Sequence, residues 1–133
     1  MTMRRNLIFM SFMLISLNLF CQKQEINLIP QPVEMKTARG KFILTKSSGI
    51  TYDNSEARNV AEMLVKKLNA STGFKLKVQA GKSGAIQLNL KSSADEQLGN
   101  EGYTIESGSK AVIITANNPA GLFYGVQTLL QLF

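Results

Sequence analysis

The spacing of the hydrophobic residues changes along the chain, and each spacing predicts a different element. Between residues 53 and 73 the apolar positions recur every three or four residues, which is typical of an amphipathic helix. The predicted buried stripe consists of Ala57, Val60, Ala61, Leu64 and Leu68. Asp53, Asn54 and Ser55 all qualify as the N-cap, Asp53 and Glu56 resemble a capping box, and Gly73 ends the helix.

After this helix the period becomes two, which predicts strands with one buried and one solvated face. The segments FKLKVQA, AIQLNLK, GYTIES and KAVIITA are predicted as four strands, and Gly108 joins the last two. Val112, Ile113 and Ile114 are apolar in succession, so the last of these strands is predicted to be central. A strand with two apolar faces needs cover on both sides.

Ahead of the helix the pattern predicts three shorter strands. Val33–Lys36 and Lys41–Thr45 are separated by a turn at Gly40, and a third strand lies around Ile50–Tyr52. The order of strands, helix, four strands and a last helix predicts an α+β fold. We expect a small, mostly antiparallel or mixed sheet with two helices packed on one face.

The last helix begins at a clear signal, with Asn118 as the cap and Pro119 at the first helical position. One stripe of this helix is predicted to cover the sheet and consists of Leu122, Phe123, Val126, Leu129, Leu130 and Phe133. A second face carries Gly121, Gly125, Thr128 and Leu132. Small residues of this kind let another backbone approach closely. That backbone belongs either to the domain's own sheet or to a partner.

The first 21 residues are predicted to be a signal peptide and not part of the fold. Arg4 and Arg5 form a basic n-region, and Leu7–Phe20 forms an h-region of 14 residues, too short to span a bilayer. Cys21, the only cysteine, follows at once and resembles the lipidated residue of a bacterial lipoprotein signal. Two fates stay open, lipidation of Cys21 and ordinary cleavage just after it, and both predict export.

Charge and composition narrow the function classes. Residues 22–133 carry 13 basic and 9 acidic residues, a net charge of +4, and the lysines are scattered along the sequence. No nucleic-acid signature accompanies them, so solvated surface lysines are predicted. The absence of histidine excludes a Ser–His triad and most zinc sites, and no cofactor or metal site is predicted.

Several segments resemble the N-terminal domain of glycoside hydrolase family 20, the β-N-acetylhexosaminidases. They are LIPQPVEMKTARGKFIL, NEGYTIES, AVIITANNPAG and the ending NNPAGLFYGVQTLLQLF, and the resemblance covers residues 26–133. Its most specific parts are Glu101–Thr104 and Ala120–Leu132. The resemblance implies a sheet with helices on one side, placed before a TIM barrel that this chain lacks. Gly121, Gly125, Thr128 and Leu132 are then predicted as the interface to that barrel.

The resemblance also implies that this chain holds no catalytic residue. In the family, an Asp–Glu pair of the barrel acts with the substrate's own acetamido group, an exception to the scheme of two carboxylates. Asp95 and Glu96 are adjacent, but they lie in a polar loop between two predicted strands. We therefore interpret this pair as solvated and not as the catalytic dyad.

Two functions of different classes follow for residues 22–133. The first is an accessory domain of an exported exo-β-N-acetylhexosaminidase, truncated here before its barrel and inactive alone. The intact enzyme would remove terminal N-acetylhexosamine from glycans in the periplasm, or as an outer-membrane lipoprotein of a bacterium. Its partners are then the barrel and these glycans; nucleic acid is not a partner, and a membrane is one only through a lipid anchor. The alternative is a free-standing module that binds glycan or protein, although the chain has no Trp for stacking on sugars.

Overall fold

The structure is a computed structural model that describes residues 26–38 and 40–133. The predicted signal peptide and Cys21 lie outside the described residues. The chain divides into two units, Met1–Gln31 and Pro32–Phe133. In the first unit, residues 26–31 contain no helix or strand. In the described part of the chain, no helix has the length and hydrophobicity that crossing a membrane requires.

The second unit contains a five-stranded sheet and two α-helices. The strands are β1 (Ile50–Tyr52), β2 (Val78–Ala80), β3 (Ile86–Leu90), β4 (Tyr103–Ser107) and β5 (Val112–Ala116). A short 3-10 helix, Ser55–Ala57, leads into α1 (Arg58–Thr72), and the last helix is α2 (Pro119–Gln131). The α+β class and both helices are confirmed.

The sheet is mixed, with the order β2-β1-β3-β5-β4. The pairs β1–β2, β1–β3 and β3–β5 are parallel, and only β4–β5 is antiparallel. Of the two expected sheet types, the mixed sheet is confirmed and the mostly antiparallel sheet is not. The α1 crossover brings β2 back parallel to β1, as a βαβ unit requires. The long loop after β3 places β4 at the edge of the sheet opposite β2. β5 then pairs between β3 and β4. β5, which was predicted to be central, has a neighbour on each side, but the middle strand of the five is β3.

Only five residues, 81–85, connect β2 to β3, although β1 lies between these two strands. This loop passes over Thr51, which is buried, with 1% of its surface exposed to solvent. The Gly84 N–H donates to Thr51 Oγ1 at 3.2 Å, and a Cβ on Gly84 would lie 2.8 Å from the Gly49 carbonyl oxygen. Glycine at residue 84 therefore lets the loop cross the strand in direct contact with it.

The core lies between the sheet and the helices. Its fully buried side chains include Ile50, Ile86, Leu88, Ile114, Leu64 and Leu122. The α1 stripe is confirmed, with Ala57, Ala61, Leu64 and Leu68 buried and Val60 half-buried. Of the three candidate caps it is Asn54 that accepts from the Glu56 N–H, at 2.9 Å. Asp53 instead accepts from the Leu90 N–H at 3.0 Å, which ties the end of β1 to β3.

Three predicted strands differ from the structure. Val33–Lys36 and Lys41–Thr45 are not strands, although Phe42 and Leu44 pack on the core and Ile43 between them is 71% exposed. The alternation of Lys41–Thr45 thus reports one packed face without a hydrogen-bonded ladder, whereas residues 33–36 are all exposed. The strand predicted from FKLKVQA shrinks to Val78–Ala80, because the Asn69 side chain binds both peptide groups of Leu76 in place of a neighbouring strand.

Candidate interaction surface

The close packing of α2 on the sheet depends on two glycines. A Cβ on Gly121 would clash with the Gly102 carbonyl oxygen and would lie 2.8 Å from Ala116 Cβ. A Cβ on Gly125 would lie 2.5 Å from Ile114 Cγ2 and 3.1 Å from the Tyr103 ring. The helix therefore approaches β4 and β5 more closely than any side chain at these positions would permit.

Thr128 continues the same inward face. Its hydroxyl forms a 2.5 Å hydrogen bond with the Tyr103 hydroxyl, and the residue is buried. Tyr103 thus spans about one turn of α2, with its ring against Gly125 and its hydroxyl at Thr128. This bond orients α2 along β4.

The predicted interface of α2 is accordingly corrected. Gly121, Gly125 and Thr128 contact the domain's own sheet, which is the alternative that the sequence left open, and they are not accessible to a partner. Only Leu132 of the predicted set is exposed, at 42%. The physical reason is that small residues allow close packing, and the nearest surface available to them is the sheet.

The predicted covering stripe is also shifted around the helix. Leu122, Val126 and Leu129 are buried as predicted, and Leu130 is half-buried. Phe123 and Phe133 of the predicted stripe are instead 41% and 55% exposed. With the glycines facing the sheet, α2 turns so that one side of the predicted stripe points away from it. The outer surface of α2 is thus apolar.

Phe123 and Tyr124 on α2 and Leu132, which directly follows the helix, are large, apolar and exposed. We call these three residues the outer α2 surface. The rings of Phe123 and Tyr124 lie edge to face, with centroids 5.6 Å apart. The hydrophobic pattern did not single out Tyr124, and it placed Phe123 on the face that covers the sheet. Gly121 and Gly125 could have indicated this arrangement. The side of α2 that carries them faces the sheet, so the opposite side is exposed.

The loop before β4 is fastened to the start of α2 by two asparagines. Asn117 Nδ2 donates to the Asp95 and Gly99 carbonyl oxygens at 2.8 and 2.7 Å, and its Oδ1 accepts from the Asp95 N–H at 2.9 Å. Asn118 Nδ2 donates to the Asn100 carbonyl oxygen at 3.3 Å. The two segments that carry the family resemblance most specifically, Glu101–Thr104 and Ala120–Leu132, pack on each other through the contacts of Gly121 with Gly102 and of Thr128 with Tyr103.

The adjacent carboxylates of this loop have different surroundings. Asp95 accepts from Lys91 Nζ at 2.6 Å and from the Gln97 N–H at 3.0 Å. The Lys91 bond, followed by the Gln97 bond, holds the pKa of Asp95 below its usual range. Glu96 is exposed. Asp95 thus organises the loop, and the described residues contain no group of three or more possible metal ligands around it.

Comparisons with known proteins agree with this architecture. A family model described as glycosyl hydrolase family 20, domain 2, matches residues 25–133. A curated beta-hexosaminidase of Porphyromonas gingivalis (strain ATCC BAA-308 / W83) is 32% identical over 110 residues, covering 80% of this chain. This chain spans only 14% of that protein.

Solved structures give the same picture. The N-acetyl-beta-hexosaminidase of Streptomyces plicatus is 39% identical with a TM-score of 0.71, over 77% of this chain and 20% of that chain. The GH20 beta-N-acetylhexosaminidase of Streptomyces coelicolor A3(2) is 38% identical with a TM-score of 0.70, over the same shares. The Flavobacterium johnsoniae chitobiase, at 24% identity and a TM-score of 0.66, covers 84% of this chain and 18% of that chain and agrees in fold.

Proposed function

Because the chain belongs to glycosyl hydrolase family 20, as domain 2 of that family, we propose that it is the non-catalytic accessory domain of a β-N-acetylhexosaminidase. The catalytic barrel is a separate domain of the larger enzyme. The intact enzyme removes terminal N-acetylhexosamine from glycans. The small share of each relative that this chain spans supports a role as one part of a longer protein.

The observation that carries the accessory role is the outer α2 surface. Phe123, Tyr124 and Leu132 are each more than 40% exposed although they are large and apolar. The opposite face of the sheet presents polar residues, among them Gln87 and Asn89 of β3. Large apolar side chains that lie exposed and close together, as the rings of Phe123 and Tyr124 do, often mark an interface. We therefore place the barrel against the helices and not against the open face of the sheet.

Docking is testable in two steps. The gene is first sequenced beyond the codon for Phe133, where we expect a barrel with an Asp–Glu pair. The full-length enzyme is then made with Phe123→Asp and Tyr124→Asp, which place two charges in the interface. We expect its thermal unfolding to split into two transitions, because buried unpaired charge uncouples the domains.

The control for this experiment is Thr104→Asp, at an exposed position of β4 whose neighbour Tyr103 faces α2. It adds a charge on the opposite face and should leave a single transition. A single transition in the Phe123→Asp, Tyr124→Asp enzyme, at the temperature of the unmodified protein, would refute docking through this surface.

The chain on its own is proposed to be inactive. A purified sample should not hydrolyse a chromogenic N-acetylglucosaminide above background. Glu96→Gln is the decisive variant: activity that this change abolishes would contradict our interpretation of the Asp95–Glu96 pair. Activity that persists unchanged in the variant would indicate a contaminating enzyme.

Export remains part of the proposal and rests on Arg4, Arg5 and the h-region Leu7–Phe20. We propose a location in the periplasm, or at the outer membrane through a lipid on Cys21. Intact-mass measurement of protein from its host decides between these fates. Retention of Met1 would refute export, and a diacylglyceryl mass on Cys21 would establish the lipoprotein.

The alternative of a free-standing glycan-binding module has less support. Of the three tyrosines, Tyr52 and Tyr103 are half-buried, and only Tyr124 is well exposed. A gene without a barrel, together with binding of N-acetylglucosamine oligomers that Tyr124→Ala abolishes, would favour this alternative.

A further inference from the structure

The two edges of the sheet differ in how they are protected. β2, at one edge, has only three residues, Val78–Ala80, and Lys75, Lys77 and Lys82 lie close to it in the sequence. Short edge strands and nearby lysines are common devices that keep a free edge from pairing with another chain. β4, at the other edge, has five residues, Tyr103–Ser107, with neither Lys nor Pro. Its register with β5 is continuous, so no bulge bends it away.

The hydrogen-bond pattern defines which backbone groups of β4 are free. The Gly108 N–H donates to the Ala111 carbonyl oxygen at 2.9 Å, so these residues form a hydrogen-bonded pair at the turn. Because such pairs alternate along an antiparallel ladder, Thr104 and Glu106 bind β5. The N–H and C=O groups that point away from β5 belong to the alternate residues Tyr103, Ile105 and Ser107. Within residues 26–38 and 40–133, none of these backbone groups has another partner.

We propose that β4 pairs with β4 of a second copy of this chain, antiparallel and about a two-fold axis. Only a residue whose backbone groups point outward can lie on this axis, because it must bond to the same residue of the second copy. Ile105 is the middle one of these residues, and it alone allows the whole strand to pair. Tyr103 then lies opposite Ser107 of the second copy. The paired strands form about six hydrogen bonds.

The side chains of β4 are compatible with this register. Glu106 is the only charged residue of the strand, and it lies opposite Thr104 of the second copy and not opposite another carboxylate. The backbones of these two residues do not bond to each other, so their Cβ atoms lie about 4.5 to 5.5 Å apart, and the Thr104 hydroxyl can donate to the carboxylate. Both residues are exposed. A second copy therefore satisfies the outward groups of both chains at once and leaves neither β4 with a free edge.

This pairing goes beyond the proposed function and does not depend on it. The barrel is proposed to dock on the outer α2 surface, whereas the pairing uses the backbone edge of β4. A single pair of strands is a small interface, and small interfaces are typical of weak and transient association. We therefore expect an equilibrium between monomer and dimer. Sedimentation velocity of the full chain between about 5 and 500 µM should show the fraction of dimer rising with concentration.

A proline at the edge of β4 tests the strand pairing. Ser107→Pro removes an outward N–H and keeps every bond to β5, because Ser107 does not bond to its partner Val112. This substitution removes the bond between Ser107 and Tyr103 at both ends of the interface. We expect the dissociation constant of the dimer to rise about tenfold or more.

The matched control is Ala80→Pro on β2. The Gly81 N–H donates to the Tyr52 carbonyl oxygen at 2.9 Å, so the N–H of the preceding residue, Ala80, points away from β1. Ala80 is exposed. The control thus places a proline at an outward position of the other edge. It should change the dissociation constant less than about twofold, because β2 is not part of the proposed interface.

Disulfide cross-linking tests the register. Cys21→Ser first removes the only cysteine of the chain. Thr104→Cys and Glu106→Cys together then place cysteines opposite each other in both halves of the interface. We expect mild oxidation with copper phenanthroline to give a covalent dimer that a reducing agent separates. Either cysteine alone meets its own copy only diagonally, at about 7 to 8 Å, which is too far for a disulfide, so the single variants should give little covalent dimer.

Three outcomes would overturn the proposal. They are a strict monomer at about 500 µM, a dimer that Ser107→Pro does not weaken more than Ala80→Pro does, and cross-linking that is absent from the double-cysteine variant or equal in the single variants. The variant with Phe123→Asp and Tyr124→Asp separates the edge of β4 from the outer α2 surface. If this variant loses the dimer while Ser107→Pro retains it, the copies meet through α2 and the proposal is wrong. Circular dichroism of each variant confirms that it is folded.

Discussion

Replacement of Gly121 by alanine tests how α2 is seated on the sheet. The added methyl group would clash with the Gly102 carbonyl oxygen and would lie 2.8 Å from Ala116 Cβ and 3.2 Å from the Glu101 carbonyl oxygen. Two of these neighbours are backbone atoms, and the third is a buried methyl group on β5. None is the end of a flexible side chain, so the methyl group fits only if the helix or the loop moves.

Two opposing contributions, helix propensity and overpacking, determine how much Gly121→Ala changes the free energy of unfolding. Alanine is favoured over glycine inside a helix by about 1 kcal/mol at most. Overpacking of a tight interior costs about 1 to 3 kcal/mol, and the rigid neighbours of Gly121 favour the upper end of that range. We therefore expect a net loss of about 1 to 2 kcal/mol in the free energy of unfolding, which corresponds to about 5 to 15 °C in Tm for a domain of this size.

Urea and thermal unfolding followed by circular dichroism measure this loss. Gly49→Ala is the matched control, since a Cβ there meets no atom within 4 Å and its φ lies outside the left-handed region. Gly49→Ala should raise the free energy of unfolding by about 0.4 to 1 kcal/mol, because alanine lowers the conformational entropy of the unfolded chain. If Gly121→Ala proves as stable as the unmodified chain, the close approach of α2 to the loop before β4 is refuted.

Two further predictions concern the polar contacts around α2. Thr128→Val should cost about 0.5 to 1.5 kcal/mol in urea unfolding because the Tyr103 hydroxyl loses its partner. Adding Tyr103→Phe to this variant should cost little more; fully additive losses would show that the two hydroxyls do not interact. The second prediction uses pH. Because the Lys91 hydrogen bond lowers the folded-state pKa of Asp95, its stabilisation is present above the unfolded value of about 4 and is lost as the pH falls through the folded value. The difference in urea midpoint between the unmodified chain and Asp95→Asn should therefore shrink on going from about pH 6 to pH 2.5, whereas a constant difference would contradict the assignment.

The local elements of this protein were determined by the sequence itself. The periodicity of residues 57–68 predicted the buried face of α1, and Asn118 with Pro119 marked the start of α2. The alternating segments predicted β3, β4 and β5, because a strand with one buried face must alternate. The resemblance in Glu101–Thr104 and Ala120–Leu132 indicated the family from the sequence alone. In the structure these two segments pack on each other, and α2 fits on the sheet only with both of them.

The pairing of the strands and the direction of α2 were decided only in the tertiary structure. Periodicity shows that a strand has a buried face, but it does not show which neighbour binds its edges. The strand order and the choice of parallel pairs therefore could not be predicted, and Lys41–Thr45 packs without a ladder. The glycines of α2 were visible in the sequence, yet whether they faced a sheet or a partner depended on which surface lay within contact distance.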